Sequence, residues 1–93
     1  MKNKSFEWDD EKARANLRKH GVSFREAATA FADWLHITYP DPQHSTDEER
    51  FVTIGLSERN RMLVIAHTDR SDAVRIINAR LASRLERKIY EEE

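Results

Sequence analysis

The chain has 93 residues, enough for one domain near the lower size limit for folding without a partner. It contains no cysteine, which excludes disulfide bonds and cysteine-based zinc sites and fits the reducing cytoplasm. The 16 lysines and arginines against 17 aspartates and glutamates give a net charge of −1. The total charge therefore does not indicate a nucleic-acid-binding protein.

The charges are unevenly distributed along the chain. Acidic residues cluster at positions 7–11, 47–49 and 91–93, whereas five basic residues accompany the single acid Glu86 between Arg75 and Lys88. A neutral total can therefore conceal a basic surface. No apolar run is long enough to span a membrane, and the N-terminal segment lacks the apolar core of a secretory signal. We expect a soluble, cytoplasmic protein without membrane contact.

The first third of the chain predicts two helices after a short extended segment, SFEW. Asp9 is a suitable N-cap for a helix to about Lys19, which Gly21 would end. The sequence SFRE then predicts a capping box, in which Ser23 and Glu26 each bond to the other's backbone amide. A second, short helix would run to about residue 32.

The remainder predicts strands followed by a final helix. HITY is a strand, PDPQHSTDEE a long acidic loop, and RFVTIGL, MLVIAHT and AVRIIN are three further strands. Asn78 is expected to cap a C-terminal helix, which would place Arg80 in its first turn. The prediction is a single α+β domain over residues 1–93, with N-terminal helices packed on one face of a small antiparallel sheet and followed by a C-terminal helix.

Four segments in this order carry a resemblance to a known family: FEWD, NLRKHGVSF, RFVTIG and VRIINAR. Together they resemble the BrnT family of type II toxins, a RelE-like group, over nearly the whole chain. The resemblance implies a compact sheet with helices and a ribonuclease that inhibits translation. It also implies a BrnA-like antitoxin with a ribbon-helix-helix part, and contact with operator DNA only through the toxin–antitoxin complex.

Ribonucleases of this kind need no metal or other cofactor, because the ribose 2′-hydroxyl of the RNA substrate is itself the nucleophile. The protein must help remove the hydroxyl proton, stabilise negative charge around phosphorus and help protonate the departing 5′ oxygen. Histidine suits the proton transfers and arginine suits the charge. The chain offers four histidines and many arginines, and no carboxylate pair at the spacing of a metal site.

Among the histidines, His67 is the stronger candidate for acid–base catalysis. It ends an apolar strand, but it shares a strand face with Leu63 and Ile65, so a buried structural role is equally compatible. Lys19 and His20 are candidates for RNA binding. Their position in the last turn of a helix also suits capping, and His20 is better explained by a structural role.

Four arginines are further candidates. Arg75 interrupts an apolar strand and is the strongest candidate for transition-state stabilisation, with solvent exposure at a sheet edge as the alternative. Arg80 would sit unfavourably in a helix N-terminal turn, which suggests another use. Arg50 is a plausible phosphate contact or part of a local ion pair. Arg84 could bind RNA, the antitoxin or only solvent. Whether His67 and Arg75 share a face depends on strand register.

The sequence also contains two tryptophans and two further histidines. Trp8 and Trp34 are expected to be core anchors rather than base-stacking platforms. His36 and His44 have no partner at helical ligand spacing, so no metal site is assigned. Two other classes of function remain open: a non-catalytic protein-binding module, and a co-repressor that acts with a DNA-binding antitoxin.

Overall fold

The computed structural model describes residues 5–92 as an α+β fold of five strands and three helices. In chain order the elements are β1 (Ser5–Glu7), α1 (Asp10–His20), α2 (Phe24–Thr29), β2 (Ile37–Pro40), β3 (Phe51–Leu56), β4 (Met62–Arg70), β5 (Ala73–Leu81) and α3 (Arg84–Glu91). Short 3₁₀ turns follow α2 at Ala30–Ala32 and β2 at Pro42–His44. Within this part of the chain, no helix is long and apolar enough to cross a membrane.

The strands form one sheet in the order β1-β5-β4-β3-β2. Strands β2 to β5 pair antiparallel with their neighbours, as predicted. The extended segment at the start becomes β1, which pairs parallel to β5. The prediction of a purely antiparallel sheet is therefore wrong, because α1 and α2 separate β1 from the other strands and let it join the edge in the parallel direction.

The helices cover both faces of the sheet. Leu63 and Ile65 of β4 point to the face where α1 and α2 pack, in a core that includes Phe24 and Ala27. The β4 residues that alternate with Leu63 and Ile65 point to the other face. There Met62 and Val64 pack with Ile54 of β3 and with Ala82 and Tyr90 from the C-terminal segment. The expectation that the helices cover one face is correct for α1 and α2 and wrong for α3.

The predicted start and end of α1 are confirmed. The carboxylate of Asp9 accepts a hydrogen bond from the backbone N–H of Lys12 at 2.9 Å. Gly21 ends the helix in the left-handed conformation at φ 69°, which glycine adopts without steric cost. The buried Asn16 then ties α1 to β5, because its side chain bonds both the N–H and the C=O of Ala79.

The start of α2 is confirmed, but the capping box is not. Ser23 accepts a hydrogen bond from the backbone N–H of Glu26 at 3.0 Å. The side chain of Glu26 does not return to the cap. It is buried and accepts hydrogen bonds from the Ser57 hydroxyl at 2.7 Å and from Nε of Arg61 at 2.9 Å. The charged guanidinium of Arg61, together with the hydroxyl of Ser57, competes better for this carboxylate than one backbone amide does.

The end of β5 corrects the prediction for the last helix. Asn78 does not cap a helix, because residues 78–81 pair with β4 as far as Leu81 opposite Leu63. Arg80 is therefore a strand residue. Ser83 caps α3 instead, and here a capping box is present: Ser83 and Glu86 bond to each other's backbone amides. Hydrogen bonds to β4 keep residues 78–81 extended. The last helix therefore begins only after Ser83, whose side chain caps it.

Candidate functional site

A recess of about 260 Å³ lies on the face of the sheet that carries α3. Its floor is formed by the short apolar side chains of Val52, Val64 and Ala66 from β3 and β4. Polar and charged residues from four parts of the chain form its walls: Tyr39, Asp41, His44, Arg50, Asn78, Arg80 and Glu86. An apolar floor surrounded by convergent polar groups is the usual form of a binding site.

A bulge in β5 determines which residues face this recess. Ala66 of β4 lies opposite Asn78, but the next residue, His67, lies opposite Ile76. Ile77 therefore has no partner on β4. An extra residue of this kind reverses the alternation of side chains along the strand that carries it.

The consequence is that two arginines five positions apart point to the same face. Arg75 lies opposite Thr68 and Arg80 lies opposite Val64, and these two β4 residues are four positions apart. His67 alternates with Thr68 and therefore points to the other face. The strand register, which the sequence did not determine, thus places His67 and Arg75 on opposite faces of the sheet.

Arg80 is held at the recess by the last helix. Its Nη1 and Nη2 donate to the two carboxylate oxygens of Glu86 at 2.7 and 2.8 Å. This hydrogen bonding lowers the pKa of Glu86 to about 2 and raises the pKa of Arg80. The paired geometry is the one in which a guanidinium binds two oxygens of a phosphate.

The loop between β2 and β3 positions two more wall residues. The backbone N–H of Asp41 donates to the C=O of Arg50 at 2.9 Å, which closes the loop at its base. The hydroxyl of Ser45 donates to the C=O of Asp41 and accepts from the N–H of Arg50, at 2.7 and 2.8 Å. The predicted acidic loop is therefore a closed structure that fixes His44 and Arg50 beside the sheet.

The guanidinium of Arg50 is available for a ligand. Within residues 5–92 it makes no hydrogen bond or ion pair, so the local ion pair considered from the sequence does not form there. Arg50 is only partly exposed and lines the same recess as Arg80. A cation at a partly enclosed site, with no anion from the described chain, is suited to bind an anionic substrate.

His44 and Tyr39 are wall residues that the sequence analysis did not select. The Nδ1 atom of His44 lies 2.8 Å from Oδ2 of Asp41, three residues earlier in a 3₁₀ turn. The spacing Asp-x-x-His was visible in the sequence, but only the turn brings the two side chains together. Burial raises the pKa of Tyr39, and the nearby carboxylate of Glu86 adds to this effect.

His67 lies away from this recess, buried among the residues that face α2. Its Nε2 is 2.7 Å from the hydroxyl of Thr53 and its Nδ1 is 2.9 Å from Oδ1 of Asp69. Its ring packs against Phe31 and Phe51. With 2% of its surface exposed, the side chain has the environment of a core residue, which was one of the two interpretations of the sequence.

The other candidates lie outside the recess. Arg75 donates to Glu7 of β1 at 3.1 Å, so its charge already has a partner. Lys19 and His20 line a separate depression between α1 and β5. Arg84 is exposed at the start of α3. Of the predicted site residues, the structure brings together Arg50 and Arg80.

The two tryptophans differ in their environment. Trp8 packs edge-on against Phe24 at 6.0 Å and belongs to the core, as expected. Trp34 is 89% exposed, so its prediction as a core anchor is wrong. It follows Asp33, whose carboxylate bonds the backbone N–H of Leu56 and the hydroxyl of Tyr90, and these bonds hold the turn with the indole outside.

Comparison with known proteins assigns the chain to a family. The family model described as "Ribonuclease toxin, BrnT, of type II toxin-antitoxin system" matches residues 8–86. The chain belongs to the BrnT toxin family. No curated protein sequence matches it significantly. The BrnT match includes every wall residue of the recess, and it ends at Glu86.

A solved structure shows the same fold. The 1.1 Å crystal structure of the Brucella abortus ribonuclease toxin BrnT superposes with a TM-score of 0.69 and 24% sequence identity, over 88% of this chain and 100% of that one. The chain is thus a member of a family of ribonuclease toxins of type II toxin–antitoxin systems, and membership implies an antitoxin partner. Within residues 5–92, no group of three or more histidines and acidic residues is arranged to hold a metal ion.

Proposed function

We propose that this BrnT-family protein is a RelE-like endoribonuclease that cleaves RNA without a metal ion, by attack of the substrate's 2′-hydroxyl. The observation that carries the proposal is the recess that Arg50 and Arg80 line together over an apolar floor. Two guanidinium groups at one partly enclosed site are suited to bind a phosphodiester and to stabilise added negative charge on it.

The two arginines are suited to different parts of this task. The guanidinium of Arg50 makes no hydrogen bond or ion pair within residues 5–92 and is available to bind the phosphate of incoming RNA. Arg80 presents a planar fork whose orientation is fixed by Glu86. The transition state carries more charge on the phosphate oxygens than the substrate does, so a prearranged guanidinium stabilises the transition state more than the ground state.

Membership of the BrnT family supports a proposal for the cellular role. We infer that cleavage of RNA lowers translation and arrests growth in the cytoplasm. A BrnA-like ribbon-helix-helix antitoxin neutralises the toxin, and operator DNA is contacted only through the complex of the two proteins. Lys19, His20 and Arg84 remain candidates for additional RNA contacts outside the recess.

The decisive experiment for the chemistry uses RNA in which the nucleotide at the cleaved position lacks its 2′-hydroxyl. We expect the purified protein to bind this RNA and leave it intact, while it cleaves the matched all-ribose RNA equally well with and without a chelator. Cleavage of the 2′-deoxy substrate, or loss of activity with chelator that added metal restores, would contradict the mechanism.

A second experiment tests the toxin role against a non-catalytic one. Expression of the chain alone should arrest growth, and coexpression of its antitoxin should restore growth. The Arg80→Ala protein should still bind the antitoxin but not arrest growth. If this variant arrests growth as strongly as the wild type, the site does not carry the toxicity, and a binding module or co-repressor becomes the better explanation.

A further inference from the structure

The geometry points to His44 as the general base that removes the proton of the 2′-hydroxyl, with Asp41 as its positioning residue. This assignment rests on the proposed ribonuclease function. The recess needs a general base other than His67, because His67 is buried on the opposite face of the sheet. Of the four histidines, His44 is the one that lines the recess with Arg50 and Arg80.

The pairing with Asp41 determines which ring nitrogen of His44 faces the substrate. An ionised carboxylate only accepts hydrogen bonds, so the 2.8 Å contact with Asp41 requires a proton on Nδ1 of His44. In the neutral imidazole, Nε2 then carries the lone pair. Within the described residues Nε2 has no hydrogen-bond partner, and the side chain is 63% exposed. The nitrogen that can accept a proton is therefore the accessible one.

The surrounding structure holds this arrangement in place. His44 ends a 3₁₀ turn that begins after Asp41, and Ser45 ties the backbone of Asp41 to that of Arg50. The histidine is thereby fixed relative to the arginine that is proposed to bind the phosphate. A histidine oriented by a carboxylate and placed beside a charge-stabilising group is a recurrent arrangement in acid–base catalysis.

The recess around His44 contains several other ionisable groups. The ionisable groups that line the recess with His44 come from strands β2 and β5, the loop and α3: Tyr39, Asp41, Arg50, Arg80 and Glu86. Glu86 is neutralised by Arg80, and Asp41 is occupied by His44 itself. The guanidinium of Arg50 is left as the charge of the recess that has no partner among the described residues.

The proposed step balances as follows. Nε2 of His44 takes the proton of the 2′-hydroxyl while the 2′ oxygen forms a bond to phosphorus. The bond between phosphorus and the 5′ oxygen breaks, and the 5′ oxygen takes a proton from water at the open side of the recess. The products are an RNA end with a 2′,3′-cyclic phosphate and one with a 5′-hydroxyl, and the imidazolium returns its proton to solvent.

The test compares single-turnover cleavage by the wild type and by His44→Ala at the RNA site that the wild type cleaves. We expect the variant to lose cleavage by about a hundredfold or more with little change in RNA affinity. The wild-type rate should rise with pH as an imidazole loses its proton, and His44→Ala should lack this rise. Added imidazole should restore part of the activity of His44→Gly. His36→Gln, which changes a histidine outside the recess, is the matched control.

Asp41 is tested by the dependence of its effect on His44. Asp41→Ala should lower the cleavage rate by about tenfold, because the ring loses its fixed orientation. In the His44→Ala background, Asp41→Ala should not lower the cleavage rate any further, since Asp41 acts only through the histidine. A purely structural role would give equal losses in both backgrounds, and that result would remove Asp41 from the mechanism.

Two outcomes separate this assignment from the proposed function. Near-wild-type cleavage by a folded His44→Ala protein, with an unchanged pH profile, would overturn the role of His44 and leave the ribonuclease proposal intact. Failure of the wild-type protein to cleave any RNA, or cleavage of RNA that lacks the 2′-hydroxyl, would overturn the proposed function and the role of His44 together. Melting curves of each variant confirm that the compared proteins are folded.

Discussion

Arg80 and Glu86 form a two-point ion pair across the edge of the recess, in which Nη1 donates to Oε1 at 2.7 Å and Nη2 donates to Oε2 at 2.8 Å. The carboxylate thereby occupies the same donors that an RNA phosphate would use. Because Glu86 belongs to α3, the ion pair links the last helix to the site. Binding of RNA through Arg80 must displace this carboxylate or share the guanidinium with it.

The first prediction is that Glu86→Gln tightens RNA binding. A neutral amide competes less well than a carboxylate for the guanidinium, so we expect KM to fall by roughly threefold to tenfold with a smaller change in kcat. Glutamine can still bond the backbone amide of Ser83, which preserves the helix cap. Glu91→Gln on the same helix is the control for the change in net charge. An unchanged KM would show that the pair does not compete with RNA.

The same ion pair predicts a pH dependence of stability. The hydrogen bonds from Arg80 lower the pKa of Glu86 from 4.5 to about 2. A carboxyl group with a lowered pKa stabilises the fold fully above its ordinary value, and this stabilisation is lost as pH falls through the folded value. The difference in unfolding free energy between wild type and Glu86→Gln should therefore be constant above pH 4.5 and shrink between pH 4.5 and 2. Chemical denaturation at several pH values measures it.

The third prediction ranks the arginines. Arg50→Ala and Arg80→Ala should each lower cleavage by roughly a hundredfold, because each removes a guanidinium from the recess. Arg75→Ala should lower cleavage by less than about tenfold, because this side chain is paired with Glu7 outside the recess. Arg87→Ala, on the exposed side of α3, is the control. A larger loss for Arg75→Ala than for Arg80→Ala would restore the ranking that the sequence suggested.

Local signals in the sequence predicted most of the helices and strands, whereas the relative position of the candidate site residues depends on strand pairing. Asp9, Gly21 and Ser23 act on their own neighbours, and all three have the predicted structural roles. Whether His67 and Arg75 share a face depended on register, and the bulge at Ile77 placed Arg75 with Arg80 on the face opposite His67. Such a bulge leaves no local signature, because it arises from the pairing of two strands.

His44 was missed for a related reason. Its pairing with Asp41 requires the 3₁₀ turn of residues 42–44, and its proximity to Arg80 requires the sheet to bring β5 beside the loop. The positions of these residues along the chain do not by themselves predict that their side chains lie close together. Trp34 shows the opposite case: its size suggested burial, but two hydrogen bonds to Asp33 fix the turn with the indole in solvent.

The fourth prediction concerns the buried pair of Glu26 and Arg61. The Glu26 side chain is 3% exposed, and the hydrogen bonds from Arg61 hold its pKa below the ordinary value. Arg61→Ala should lower the free energy of unfolding by about 3 kcal/mol, because it leaves a buried carboxylate without its main partner. Arg59→Ala is the matched control, since Arg59 is 66% exposed and lies 3.6 Å from Glu26. Arg59→Ala should lower the free energy of unfolding by less than about 1 kcal/mol.

A double variant checks the cause of that loss. In Glu26→Gln, the buried side chain is neutral, so a further Arg61→Ala change should cost less than it does in the wild type. Urea denaturation of the four proteins gives the coupling. Equal losses in both backgrounds would mean that Arg61 stabilises the fold through its bond to the C=O of Gly21, which is 3.0 Å from Nη2, rather than through Glu26.

The last prediction separates the two glycines. Gly55 is buried in β3, and a Cβ there would lie 2.7 Å from the backbone oxygen of Ala30 and 3.3 Å from its Cβ. We expect Gly55→Ala to cost about 1–3 kcal/mol through overpacking. Gly21 has open space around it but a φ of 69°, so Gly21→Ala should cost about 1 kcal/mol through backbone strain alone.

Asparagine distinguishes the two causes, because it tolerates the left-handed conformation better than alanine but is larger. Gly21→Asn should therefore be more stable than Gly21→Ala, whereas Gly55→Asn should be less stable than Gly55→Ala. Thermal and urea unfolding of the four variants measures both differences. If the asparagine variant were more stable than the alanine variant at both positions, the close approach of β3 to Ala30 would not explain why residue 55 is glycine.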